Sequence, residues 1–115
     1  MKLFTRLAVP LVLGGAILSA LPVSYAAGKK SEGASTFMEK CSMCHGLDGK
    51  GYEAIHTPNF TDPKWQAAHS DKELMSAIEN GVKGTAMVSF QGKLSHEQMV
   101  DVLNYIRSLG GKAKK

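Results

Sequence analysis

Two cysteines three apart, Cys41 and Cys44, are followed directly by His45, and the chain has no other cysteine. Thiols and imidazoles bind metals, exchange disulfides or attach groups covalently. The run Lys40-Cys41-Ser42-Met43-Cys44-His45-Gly46 must do one of these. A disulfide closing so short a loop removes little entropy from the unfolded chain and staples the fold poorly. A structural zinc site wants four ligands; one of His56, His69 or His96 can join the cysteines, but there is no second close ligand pair. Thiol-exchange motifs ordinarily sit in a strand–helix unit, and no strand pattern precedes Cys41. Covalent haem fits the spacing. Residues three apart on a helical turn face the same side, so both sulfurs can reach the two vinyl groups on one porphyrin edge. The next residue, His45, then aims its imidazole at the iron.

The elements that position this motif read as helices and loops. Apolar side chains at Ala34, Phe37, Met38 and Cys41 recur at helical spacing, after a flexible lead over 27–32. Three glycines in 46–51 and Pro58 within 52–61 predict loop. Asp62-Pro63 opens a short helix through Trp65. Ser70-Asp71-Lys72-Glu73 is a capping box that starts a helix ending at Asn80-Gly81. Residues 82–94, with Gly84 and Gly92, form a second loop. Ser95-His96-Glu97-Gln98 is another capping box, and Met99, Val102, Leu103, Ile106 and Leu109 form the stripe of the last helix, stopped by Gly110-Gly111. No stretch alternates like a strand. The expectation is one all-α domain whose long loops need something to pack on, and a haem ring would serve as that core.

The N-terminus is of another kind. Lys2 and Arg6 precede an uncharged run over 7–28 that ends Ser24-Tyr25-Ala26-Ala27. Small residues at 24 and 26 predict a signal peptide over 1–26, cleaved after Ala26 and directing export to the periplasm. A retained anchor is the competing reading, because the run approaches the roughly 20 residues that span a bilayer. Pro10, Gly14, Gly15 and Pro22 interrupt it. Of the 115 residues, cleavage leaves a domain over 27–115 with 12 basic and 10 acidic side chains, formally +2. That charge is too weak and too dispersed for nucleic acid.

From Gly33 to Leu109 the sequence resembles the class I cytochromes c, and most of all small bacterial monohaem members. CSMCH, the middle segment TPNFTDPKW and the end GVKGTAMVSFQGKLSHEQMVDVLNYIRSL carry the resemblance. It implies a cytochrome c fold of three to five short helices and long loops around one covalent haem c. Gly33 and Phe37 should pack against Val102 and Tyr105, the glycine letting two helices cross closely. Cys41 and Cys44 would carry the haem and His45 would be one axial ligand.

For the sixth position the residues themselves offer Met75, Met87, Met99, His56, His69 and His96. Met43 lies within the attachment turn and cannot reach across. Met75 and Met99 fall on apolar helical stripes, where methionine is ordinarily core filling. The resemblance selects Met87, with His69 as the histidine rival. Val88 follows Met87 where the family commonly has proline, restoring an N–H and freeing φ, which predicts a softer loop. The family also implies a backbone carbonyl near Thr57-Pro58 for the second nitrogen of His45, and Trp65 and Phe90 along the haem edge. The bland reading of these two aromatics is core packing.

His/Met ligation leaves no open site on iron and favours electron transfer over chemistry. The resemblance therefore implies a monomeric, non-enzymatic periplasmic electron carrier that docks transiently on redox partner proteins, without stable membrane insertion. Lys40, Lys50, Lys83 and Lys93 flank the two haem-binding segments as a rim for acidic partners, or as ordinary solvated lysines. The alternative is a haem sensor or peroxidase-like enzyme in which Met87 dissociates, although no distal acid or arginine stands in 82–94.

Overall fold

The structure, a computed structural model, describes residues 8, 10, 11, 13–16, 19, 20 and 25–111, with the side chains of 25–27 excepted. The predicted signal segment lies largely outside the described residues. Five helices follow in order: α1 (Tyr25–Lys40), α2 (Ser42–His45), α3 (Pro63–Ala68), α4 (Asp71–Asn80) and α5 (His96–Leu109), with a short 3₁₀ turn at Glu53–Ile55. Among the described residues there is no strand, and no helix is long and apolar enough to cross a membrane.

The helix starts follow local chemistry. Asp62 accepts from the Lys64 N–H at 2.9 Å with Pro63 in the first turn. Ser70 and Ser95 each complete a reciprocal capping box, with Glu73 and Gln98. One expectation is corrected. Residues 27–32 are not a flexible lead but part of α1. Ala, Lys and Glu in this stretch favour helix, and Lys29 ties it to Glu97 in the first turn of α5 at 3.0 Å.

The crossing of α1 and α5 is the centre of the fold. A Cβ on Gly33 would overlap the Asp101 carbonyl and come within 3.2 Å of the Tyr105 Cβ, so only glycine allows this approach. Phe37 and Val102 are fully buried at the crossing, and the Phe37 and Tyr105 rings lie 5.2 Å apart. The core continues through Phe60, Leu74, Ile78, Leu94, Met99, Leu103 and Ile106.

Arg107, on the last turn of α5, links the helices below this core. Its guanidinium donates to Asp71 Oδ1 (2.7 Å), to Gln66 O and Oε1 (2.9 and 2.7 Å), and to the His69 carbonyl (2.6 Å). It thereby joins the end of α3 to the start of α4. Buried Gln66 is satisfied in turn, its amide donating to the Phe60 and Ile106 carbonyls at 2.7 and 2.9 Å.

Candidate functional site

α1 leads into the cysteine motif through a turn at Cys41. Cys41 N–H donates to Phe37 O at 2.9 Å, while Cys44 and His45 N–H groups return to Cys41 O at 3.2 and 3.0 Å. Cys41 is half-buried, Cys44 is exposed, and both are free thiols. Burial, with the neighbouring Cys44 adding to it, pushes the Cys41 thiol up to about 11. A chain reading of mutual thiol exchange wants the reverse, a depressed thiol. Among the described residues no group of three or more His, Cys, Asp or Glu side chains is gathered to hold a metal ion.

A glycine loop closes beneath His45. Gly46, at φ +82°, ends α2. Gly51 N–H donates to His45 O at 2.8 Å, and Phe60 N–H to Gly49 O at 2.8 Å. The latter bond brings Phe60 onto the imidazole, the rings stacked 4.8 Å apart at 23°. Phe60 in turn meets Trp65 at 5.1 Å and Phe37 at 6.3 Å. Burial lowers the His45 pKa and favours the neutral ring that binds metal. Its Nδ1 is buried with no hydrogen-bond partner. The expected carbonyl partner at Thr57-Pro58 is therefore corrected. Those two carbonyls pack over Gly51, where a Cβ would stand 2.5 and 2.6 Å from them, and do not reach the imidazole.

Met87 lies half-buried in the loop that joins α4 to α5. Ser89 Oγ donates to the Glu79 carbonyl. Phe90 and Gln91 N–H groups donate to the Ile78 and Glu79 carbonyls at 3.0 and 3.2 Å. Carbonyls left over at the end of α4 thus hang the loop in place.

The rival ligands are placed otherwise. Met99 is buried in the core and Met75 packs against it. Met43 is 88% exposed. His56 is exposed in left-handed conformation, and His96 is exposed 3.7 Å from Glu79 Oε1. His69 stacks on Trp65 at 4.3 Å, and its Nδ1 is 2.8 Å from the Trp65 carbonyl. Trp65 and Phe90 are partly buried against the core. Of the lysines, Lys40 pairs with Glu39 at 2.8 Å and Lys93 sits 5.9 Å over the Phe90 ring.

Residues 43–55 and 82–88 leave Met43, Leu47, Tyr52, Ile55, Val82 and Val88 exposed. Apolar side chains on the two loops nearest the candidate ligands fit an apolar group seated between protein and solvent. Two free sulfurs beside a neutral imidazole supply the donor set for attaching haem.

Residues 31–110 match the cytochrome c family. The chain belongs to that family. It is a c-type cytochrome of class I, with one covalent haem c, and its fold is that of an electron-transfer module. The FixP subunit of the cbb3-type cytochrome c oxidase of Bradyrhizobium diazoefficiens is 35% identical over 96 residues, covering 82% of this chain and 32% of FixP. The CcoP subunit of the corresponding Rhodobacter capsulatus oxidase is 36% identical over 90 residues, 72% of this chain and 30% of CcoP. The cytochrome thus spans about a third of the length of the curated relatives it matches. Among solved structures, the KustC0563 c-type cytochrome aligns with a TM-score of 0.62 at 28% identity, covering 67% of this chain and 95% of that one. Cytochrome cL of Methylophaga aminisulfidivorans, at 24% identity and TM-score 0.61, covering 73% of this chain and 57% of that one, shares the fold.

The sequence reading missed Phe60 as the partner of His45. No local spacing connects residues 45 and 60; the glycine loop does, through the Phe60–Gly49 bond.

Proposed function

We propose that this cytochrome carries single electrons between redox proteins in the periplasm. Cys41 and Cys44 hold the haem by thioether bonds, and His45 and Met87 bind its iron. The observation that carries this reading is the attachment turn itself. Two free sulfurs precede, within one helical turn, an imidazole whose pKa burial lowers and which is held against Phe60. When bound, the haem supplies a one-electron couple, and a thioether ligand favours its ferrous state.

The chain's own residues do the rest. Stacking on Phe60 fixes the His45 plane, and the α1–α5 crossing fixes the helix that leads into Cys41. The hydrogen bonds to Ile78 and Glu79 limit movement of the Met87 loop. Rigid ligand positions keep rearrangement between redox states small. The exposed apolar side chains of both loops, with Lys50 and Lys83 beside them, suit brief contact with an acidic partner. The charged side chains within 82–94 are lysines, so this loop supplies no carboxylate, histidine or arginine to act on peroxide. We read the molecule as a monomeric carrier; its likeness to oxidase subunits favours a second setting, docking within a terminal-oxidase assembly.

A visible spectrum of the purified oxidised protein tests the ligands. Methionine on iron gives a weak far-red sulfur-to-iron band. Met87→Ala should abolish it, lower the potential and admit carbon monoxide, while Met75→Ala and Met99→Ala retain it. A wild type without the band that binds carbon monoxide readily would overturn the carrier reading in favour of a sensor or peroxidase-like site. A bis-histidine spectrum lost in His69→Ala would remove Met87 as ligand.

A further inference from the structure

The backbone of Met87 is closed on itself rather than left free. Its carbonyl accepts from the Val82 N–H at 3.1 Å. Its own N–H donates to Thr85 Oγ1 at 3.1 Å, and the same hydroxyl donates to the Val82 carbonyl at 2.8 Å. The Thr85 N–H reaches that carbonyl too, at 3.2 Å. One side chain therefore ties both ends of the 82–87 closure. Thr85 is exposed, so packing gives no other reason for its orientation. Gly81 supports the closure from the far side. At φ +71° a Cβ there would come 2.7 Å from the Met87 carbonyl and 2.9 Å from the Ser89 nitrogen. Val88, by contrast, is about half exposed and leaves φ unfixed at the residue after Met87.

We propose that Thr85 is a positioning residue for Met87, its hydroxyl holding the methionine backbone as a fixed φ at position 88 otherwise would. The inference rests on the reading of Met87 as second axial ligand. The 82–87 closure has a closed form, in which the Met87 N–H and the Val82 carbonyl share the Thr85 hydroxyl, and an open form, in which they do not. The hydroxyl stabilises only the closed form, so removing it shifts the balance without touching the methionine. An outside ligand for the iron then competes more easily.

Imidazole titration of the ferric holoprotein, read at the far-red band, tests this in wild type, Thr85→Val and Thr85→Ser. Valine keeps the shape and loses both hydrogen bonds of the hydroxyl. Imidazole affinity should rise about fivefold, the factor that matches about 1 kcal/mol of net hydrogen bonding. Serine should restore affinity to within about twofold of wild type. A purely structural role would lower the denaturant midpoint of Thr85→Val and leave imidazole affinity unchanged. That result, with the band present in wild type, overturns the inference and spares Met87 as ligand. A wild type lacking the band overturns both.

Discussion

The two ends of the site are held by different physics. His45 ends the α2 turn, which Cys41 joins to α1, and is stacked on Phe60, which is buried in the core. Met87 sits in the part of its loop held by hydrogen bonds to α4 carbonyls and to its own neighbours, ahead of the core contacts of Phe90 and Leu94, with Val82 and Val88 exposed around it. Packing is collective and cooperative. A loop hung on a few hydrogen bonds can open locally at little cost to the rest. On the proposed ligation, the contrast teaches that the Cys41–His45 side would keep the haem and the Met87 side would tune its iron.

The largest expected effect breaks the first side. Cys41→Ala or Cys44→Ala should leave haem incompletely attached and unstable, and His45→Ala should prevent maturation. Met87→Ala should keep covalent haem in full. Haem-dependent peroxidase staining of denaturing gels checks all four. If wild type fails to stain, covalent attachment is wrong and the thiol reading returns.

A smaller effect sharpens the contrast through stability. Phe60→Ala removes the ring that joins His45, Phe37 and Trp65, and should cost about 3–5 kcal/mol in denaturant unfolding of the holoprotein. Val88→Ala, on the exposed loop, should stay within about 0.5 kcal/mol. Equal losses at the two positions would show that the Met87 loop is part of the cooperative core after all.

Which parts of this were legible in the sequence follows from their range. Both capping boxes and the Asp62 cap form as written, because each is decided within four residues. The α1–α5 crossing was legible through the resemblance, since Gly33 and Phe37 mark it by their distance from Cys41. What escaped is long-range. The Arg107 clasp spans 36 to 41 residues of chain. A faint signal existed, for Arg107 is the only arginine between 27 and 115 among eleven lysines, and a planar fork suits several carbonyls at once. The helical stretch before Gly33 escaped because two glycines, Gly28 and Gly33, hid a segment that the Lys29–Glu97 pair ties to α5. The softness expected from Val88 was read from one residue, whereas the closure through Thr85 is a property of six.

The smallest expected effect concerns how α4, which carries the Met87 loop, differs from α5. Both begin with a capping box, but the reciprocal residue is Glu73 in one and Gln98 in the other. The Ser70 backbone N–H and then its hydroxyl hold the Glu73 carboxyl below its ordinary value of 4.5. A carboxylate with a lowered pKa in the folded state contributes stability above its unfolded pKa and loses it as pH falls through the folded one. Acid should therefore loosen the start of α4 below about pH 4.5, while Gln98 cannot titrate and α5 stays capped. Amide exchange at residues 70–74, compared with 95–99 across that range, checks the sign. Glu73→Gln should make the two helix starts respond alike, and Ser70→Ala should cost about 1 kcal/mol at neutral pH. Since Ile78 and Glu79 hold the Met87 loop, the far-red band should weaken in step with exchange at 70–74. A band that persists while α4 loosens would mean that the Thr85 closure holds Met87 without help from the helix.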